Sequence, residues 1–237
     1  QESMYKYLKM GFVHFMAYPA AMKQDNKVVL ESVEASCKDE YFTAIELMRI
    51  LDVETRRKAK AMLDQSGMTV CHAAQPVVLG GKLNINSVDG AKREEAVSVL
   101  TKELDLCQEM GSDRMAFLAG RLEEGATFDD AWKACVKSLQ ELCDAAARKK
   151  LGITLETFDT DVDKCALVGK SKQAAKLAQQ VDRENFGLMV DLSHLPLVRE
   201  SAKQADGSGR TASREPAMRA NRSTRGAPSF VASRSYT

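Results

Sequence analysis

The stretch "NFGLMVDLSHLP", residues 185–196, climbs through Gly187, Leu188, Met189 and Val190 to a carboxylate, Asp191, and sets His194 three residues beyond it. A short apolar run bounded by polar residues reads as a buried strand. An acid and a histidine just past its end then stand at the rim of whatever buries that strand.

The same construction recurs upstream. "GITLETF" (152–158) is an apolar run that delivers Glu156, and "RMAFLAG" (114–120), "MTVCHAAQ" (68–75), "FTAIEL" (42–47) and "YLKMGFVHFM" (7–16) are further strand candidates. Amphipathic patterns lie between them, near 28–39, 53–66, 91–111, 128–150 and 171–184. The third is the clearest, with Ala96, Val99, Leu100, Leu104 and Cys107 near helical spacing. Strand and helix alternate at the interval of a βα unit. That alternation predicts an α/β fold with a parallel sheet and helices outside it. Right-handed crossovers leave an open doubly wound sheet or a barrel. No G-x-G-x-x-G follows the first run and no G-x-x-x-x-G-K-[ST] occurs, which speaks against a dinucleotide or P-loop site. Several runs end on polar residues: His14, Glu46, Gln75, Glu156 and Asp191. In a parallel barrel all such ends open onto one face, where active sites are built.

After the sixth run the pattern stops. A (β/α)8 barrel takes about 250 residues and two more strands. Residues 201–237 instead hold seven serines and six arginines, with only scattered apolar residues. They read as a low-complexity basic tail, disordered or frameshifted. The expected organisation is therefore a partial barrel over 1–200, of about six βα units, and a tail over 201–237.

Composition bounds the rest. The net charge of the 237 residues is +1, which gives no electrostatic case for nucleic acid or a membrane surface. No run approaches the ~18 apolar residues of a membrane span. The segment "GFVHFMAYPAAM" after Lys9 imitates a signal peptide, but His14 and Pro19 interrupt it. The six cysteines form no C-x-x-C pair and read as reduced core thiols of a cytoplasmic protein.

Glu156 and Asp191 offer oxygen ligands to a divalent cation such as Mg, Mn, Co or Zn. The residues alone leave alternatives open: Asp191 capping a turn, Glu156 paired with a lysine. Glu46 either pairs with Arg49 or faces the cavity. His14 and His72 sit inside apolar runs, where a hydrogen-bonded structural histidine is the commoner case. The triplet Asp159, Asp161, Asp163 imitates a calcium loop, but Lys164 and Lys170 occupy the positions of the required glycine and bidentate glutamate. It reads as a solvated loop.

"YLKMGFVHFMAYP", "AIEL", "LETFD" and "MVDLSHLPL" together resemble the sugar phosphate isomerase/epimerase family of xylose isomerase-like TIM barrels, over about residues 4–200. The resemblance implies a divalent cation held by Glu, Asp, His and Glu from strands five to eight. Glu156 matches the first ligand, which in epimerase members also moves a proton next to the ketose carbonyl, and Asp191 matches the second. His194 matches the histidine of D-x-x-H, a contact to substrate oxygens, and Glu46 the second-strand glutamate. His14 and Gln75 are expected to line the same substrate pocket. The implied partner is a small sugar or sugar phosphate, with no nucleic acid and no membrane. The seventh-strand histidine and eighth-strand glutamate find no match. The expectation is therefore a weakly held metal, an impaired isomerase or epimerase, and self-association through exposed barrel edges. A non-catalytic remnant or binding domain, and an endonuclease-type phosphodiesterase on the same scaffold, are the competing readings.

Overall fold

The computed structural model describes residues 9–205. Six strands, β1 (Gly11–Val13), β2 (Ala44–Met48), β3 (Thr69–Ala73), β4 (Arg114–Leu118), β5 (Gly152–Thr157) and β6 (Phe186–Val190), form one sheet in sequence order. Every neighbouring pair is parallel. Among the described residues β1 and β6 each pair with one strand only. This is the α/β architecture of an incomplete barrel. Seven α-helices connect the strands: α1 (His14–Ala17), α2 (Asn26–Cys37), α3 (Val53–Ser66), α4 (Gln75–Gly80), α5 (Gly90–Glu109), α6 (Phe128–Arg148) and α7 (Ser171–Val181).

Local chemistry sets the helix starts. The side chains of Asp25, Asp52, Asp89 and Thr127 accept from backbone N–H groups in the first turns of α2, α3, α5 and α6. Each satisfies a donor that the helix itself cannot. Gly67 ends α3 at φ +70°, a conformation that disfavours a side chain.

Register sorts the side chains onto two faces. Glu46 pairs with Val13 and Cys71, Leu118 with Glu156, and Glu156 with Met189. Registered residues point the same way, so Glu46, Cys71, Thr154, Glu156 and Met189 share one face. By alternation Asp191, two residues on from Met189, joins them. The opposite face carries Ile45, Leu47, Val70, Met115, Phe117, Ile153 and Leu155, all buried under the helices. Val33, Ala59 and Leu63 cover its β2–β3 part, and Leu100, Leu104, Leu139 and Leu142 its β4–β5 part. This is the main apolar stabilisation, roughly 1.5–3 kcal/mol for each large side chain removed from water.

The first face is concave. Strands three apart in a flat sheet lie about 14 Å from each other. Yet Glu46 on β2 and Glu156 on β5 hydrogen-bond to the same amide, that of Gln75. Curling of the sheet brings them there. At its lower end Gly152 and Gly187 leave room for the Arg114 guanidinium, which crosses them to donate to Thr154 Oγ1 at 3.0 Å. A Cβ at either glycine would lie 3.3 Å from that guanidinium.

Of the strand read over 7–16, residues 7 and 8 lie outside the described residues and β1 takes Gly11–Val13, while His14 and Gln75, read as strand ends, open α1 and α4 instead. Pro76 in the first turn of α4 explains the second case, since proline is preorganised for that position. Residues 202–205 form a helical turn, and the rest of the segment read as a disordered tail, 206–237, lies outside the described residues. No helix among the described residues is long and apolar enough to cross a membrane.

Candidate metal centre

β5 and β6 end side by side at the rim of the concave face. Glu156 comes from the last turn of the pleat in β5, Asp191 directly follows β6, and His194 sits in the turn after it. One ligand atom from each lies within 4.8 Å of the others. His194 Nε2 is 3.8 Å from Glu156 Oε1 and 3.9 Å from Asp191 Oδ2. The His194 ring is held by Phe158, whose centroid is 4.2 Å away. Asp191 does two things at once: Oδ1 accepts from the Ser193 backbone at 2.7 Å, which shapes the turn, while Oδ2 faces His194. Turn capping and a place in the cluster were alternatives in the sequence, and the geometry joins them.

Glu46 and Gln75 stand beside this cluster. Gln75 Nε2 donates to Glu46 Oε1 at 3.0 Å and to Glu156 Oε2 at 2.9 Å. Glu46 therefore faces the cavity, and Arg49 pairs elsewhere, with Glu103 at 2.8 Å. Burial pushes Glu46 up to about 7, with the charge of Asp191 adding to it. Burial likewise pushes Glu156 up to about 8, helped by Glu46 and Asp191. Hydrogen bonds from Gln75 oppose both shifts without cancelling them. Three carboxylates are thus crowded around one rim with a neutral amide and an imidazole for company. Two carboxylate oxygens and an imidazole nitrogen suit a borderline or hard divalent cation, which would relieve that crowding.

His14 is not brought to this cluster. It is 1 % exposed, its ring packs on Tyr18 and its Nε2 meets Ser32 Oγ on α2 at 3.0 Å. Ser32 gives its own proton to the Val29 carbonyl, so the His14 nitrogen donates. Burial lowers the His14 pKa to about 4. His72 faces the helices, where its ring donates to Glu103 at 3.1 Å. The calcium-loop imitation resolves differently for its three acids. Asp161 and Asp163 are exposed, as a solvated loop requires. Asp159 is 1 % exposed and accepts from the backbone N–H groups of Val162, Asp163, Lys164 and Cys165. Burial opposes its ionisation, but those four donors outweigh it and hold the acid well below the usual carboxylate range. All six cysteines are free thiols.

Comparisons with known proteins bear on the fold and the family. The family model described as "Xylose isomerase-like TIM barrel" matches residues 35–218. A curated relative, "Probable endonuclease 4" of Persephonella marina, is 27 % identical over 113 residues, 47 % of this chain and 38 % of that protein. The chain thus spans well under half the length of that relative. Among solved structures, D-psicose 3-epimerase of Clostridium cellulolyticum H10 superposes with a TM-score of 0.67 at 16 % identity, over 86 % of this chain and 71 % of that one. An AP endonuclease of family 2 from Brucella melitensis gives 0.62 at 14 % identity, over 79 % and 70 % of the two chains. Identities this low speak for the fold alone. The family match, however, covers most of the sequence and includes Glu156, Asp191 and His194, so the chain belongs to the xylose isomerase-like TIM barrel family.

Proposed function

We propose that the concave rim is a divalent-metal site for isomerising or epimerising a small sugar or sugar phosphate. The convergence of Glu156, Asp191 and His194 to within 4.8 Å is the observation that carries this reading. Glu156 and Asp191 would hold the cation, with Mn, Mg, Co and Zn all compatible with the donor set. When bound, the cation supplies Lewis-acid polarisation of a carbonyl and an adjacent hydroxyl. The residues do the rest. Glu156, ionised beside the cation, takes a proton from the carbon next to the carbonyl and returns it to the adjacent carbon in an isomerisation; in an epimerisation the returning proton comes from solvent on the opposite face. His194, steadied by Phe158, contacts the substrate oxygens. Glu46 and Gln75 line the inner wall, whereas His14, packed on Ser32, contributes at most through the wall behind it. Solved relatives described as sugar epimerases favour a sugar over other substrates.

Two carboxylates among the described residues make a sparse ligand set, so the reading includes a weakly held cation and slow turnover. Among the described residues β1 and β6 each have an open side, and the reading adds self-association there, since open strand edges invite another chain. The free thiols fit the reducing cytoplasm this reading assumes. The test is calorimetric titration of Mn(II) into the metal-free chain, followed by incubation with a panel of ketoses and their phosphates. Asp191→Asn and Glu156→Gln should each weaken Mn(II) binding about ten-fold or more. Unchanged affinity in both variants would sink the site, and no sugar turned over by a chain that binds Mn(II) would sink the substrate class.

A second reading, an endonuclease-type phosphodiesterase, is favoured by the endonuclease 4 relative. It needs more imidazole ligands than the three histidines of the chain allow, since His14 and His72 are turned to other partners. Nicking of a duplex DNA substrate that depends on Asp191 would reverse the ranking.

A further inference from the structure

Gln75 is 6 % exposed, and its single amide nitrogen serves two acids on strands that are not neighbours. Its own carbonyl oxygen is buried and has no hydrogen-bond partner. An unpartnered buried acceptor costs stability, and an apolar side chain of the same size would avoid that cost. With both acids ionised the amide is held in this orientation, because turned over its oxygen would face two carboxylate oxygens. A feature that is unfavourable for packing but fixed in orientation calls for a role in the site. The two acids it touches end up in different places. Glu156 keeps Oε1 toward His194, at 3.8 Å, while its Oε2 is taken by the amide. Among the described residues, the set of converging donor atoms contains Glu156, Asp191 and His194 but not Glu46, although Glu46 stands one amide away.

We infer that Gln75 is a positioning residue that sorts the two carboxylates, presenting one oxygen of Glu156 to the cation and holding Glu46 outside the ligand set. This rests on the rim being a cation site, and it is independent of which sugar, if any, is turned over. The amide engages Oε2 of Glu156 and leaves Oε1 the freer oxygen for the cation. It also holds Glu46 out of the ligand set, so that positions around the cation stay open for substrate oxygens.

The test is Mn(II) binding to the metal-free full chain, followed by electron paramagnetic resonance, in the wild type, Glu46→Gln, Gln75→Met and the double variant. Glu46→Gln should leave the dissociation constant within about two-fold in the wild-type background and weaken it about ten-fold or more in the Gln75→Met background, where Glu46 is free to coordinate. With Co(II), the visible spectrum should change in Gln75→Met and return toward the wild type in the double variant, a response that a loss of packing alone does not give. If Gln75→Met fails to melt cooperatively, Gln75→Glu replaces it, because an acid with a single proton can hold only one of the two carboxylates. Equal effects of Glu46→Gln in both backgrounds overturn the inference while leaving the cation site standing. A wild-type chain that takes up no Mn(II) overturns both.

Discussion

Two buried carboxylate clusters lie on opposite faces of the same sheet, and they are built in opposite ways. On the helix-covered face Glu103 receives His72 at 3.1 Å and Arg49 at 2.8 Å. Burial alone would raise its pKa, but the hydrogen bonds from His72 and Arg49 outweigh it and lower the acid. On the concave face Glu46 and Glu156 share one neutral amide and are pushed up to about 7 and about 8. The first cluster is paired as a structural element must be. The second is left short of positive charge, the imbalance that the proposed cation site would relieve.

The largest expected effect breaks the paired cluster. Glu103→Ala strands the buried His72 ring and leaves the one-third exposed Arg49 without its acid, and should cost about 2–3 kcal/mol of unfolding free energy in urea. A loss below about 1 kcal/mol would mean that the pairing on the outer face is incidental.

A smaller effect, of opposite pH dependence, separates the two faces. In the unfolded chain Glu46 and Glu156 release their protons near 4.5, whereas the folded, metal-free chain keeps them to about 7 and about 8. Between those values the folded state binds more protons, so its stability falls as pH rises. Glu103, with its pKa lowered, stabilises the fold above the ordinary carboxylate range, and that contribution is lost as pH falls through its folded value. The melting temperature of the metal-free chain should therefore drop from about pH 5 to about pH 8. Glu156→Gln should flatten that drop, and Mn(II) at the upper end should restore the lost stability. A melting temperature that climbs across the same window would show that the concave acids are not short of charge.

The smallest effect sharpens the comparison. Arg49 is about one-third exposed and gives Glu103 a single charged bond. Arg49→Lys keeps the charge and should cost only about 0.5 kcal/mol, read as a slight shift of the urea midpoint. A loss as large as that of Glu103→Ala would point to the fork of the guanidinium rather than its charge.

Much of this was legible in the sequence. The run at 152–158 became β5 over Gly152–Thr157, and the helix read over 53–66 became α3 over the same residues. Strong periodicity tolerates little else at such places. What stayed hidden depends on partners distant in the chain. Gln75 looked like the end of a strand, and its bridge to Glu46 and Glu156 exists only once the sheet curls. Arg49 finds Glu103 rather than nearby Glu46, a choice made by the face each residue occupies. Asp159 looked like its two exposed neighbours because its partners are backbone N–H groups, which every residue but proline carries.

That last side chain has a consequence for the rim. Asp159 follows Phe158, the residue that holds the His194 ring, and it gathers four amide protons of the β5–α7 connection on one carboxylate. Removing this one group unties the connection at a single point. On heating, an untied connection would cost the imidazole its backstop while the sheet beneath still held, so the grip on a cation would fade before the fold itself gave way.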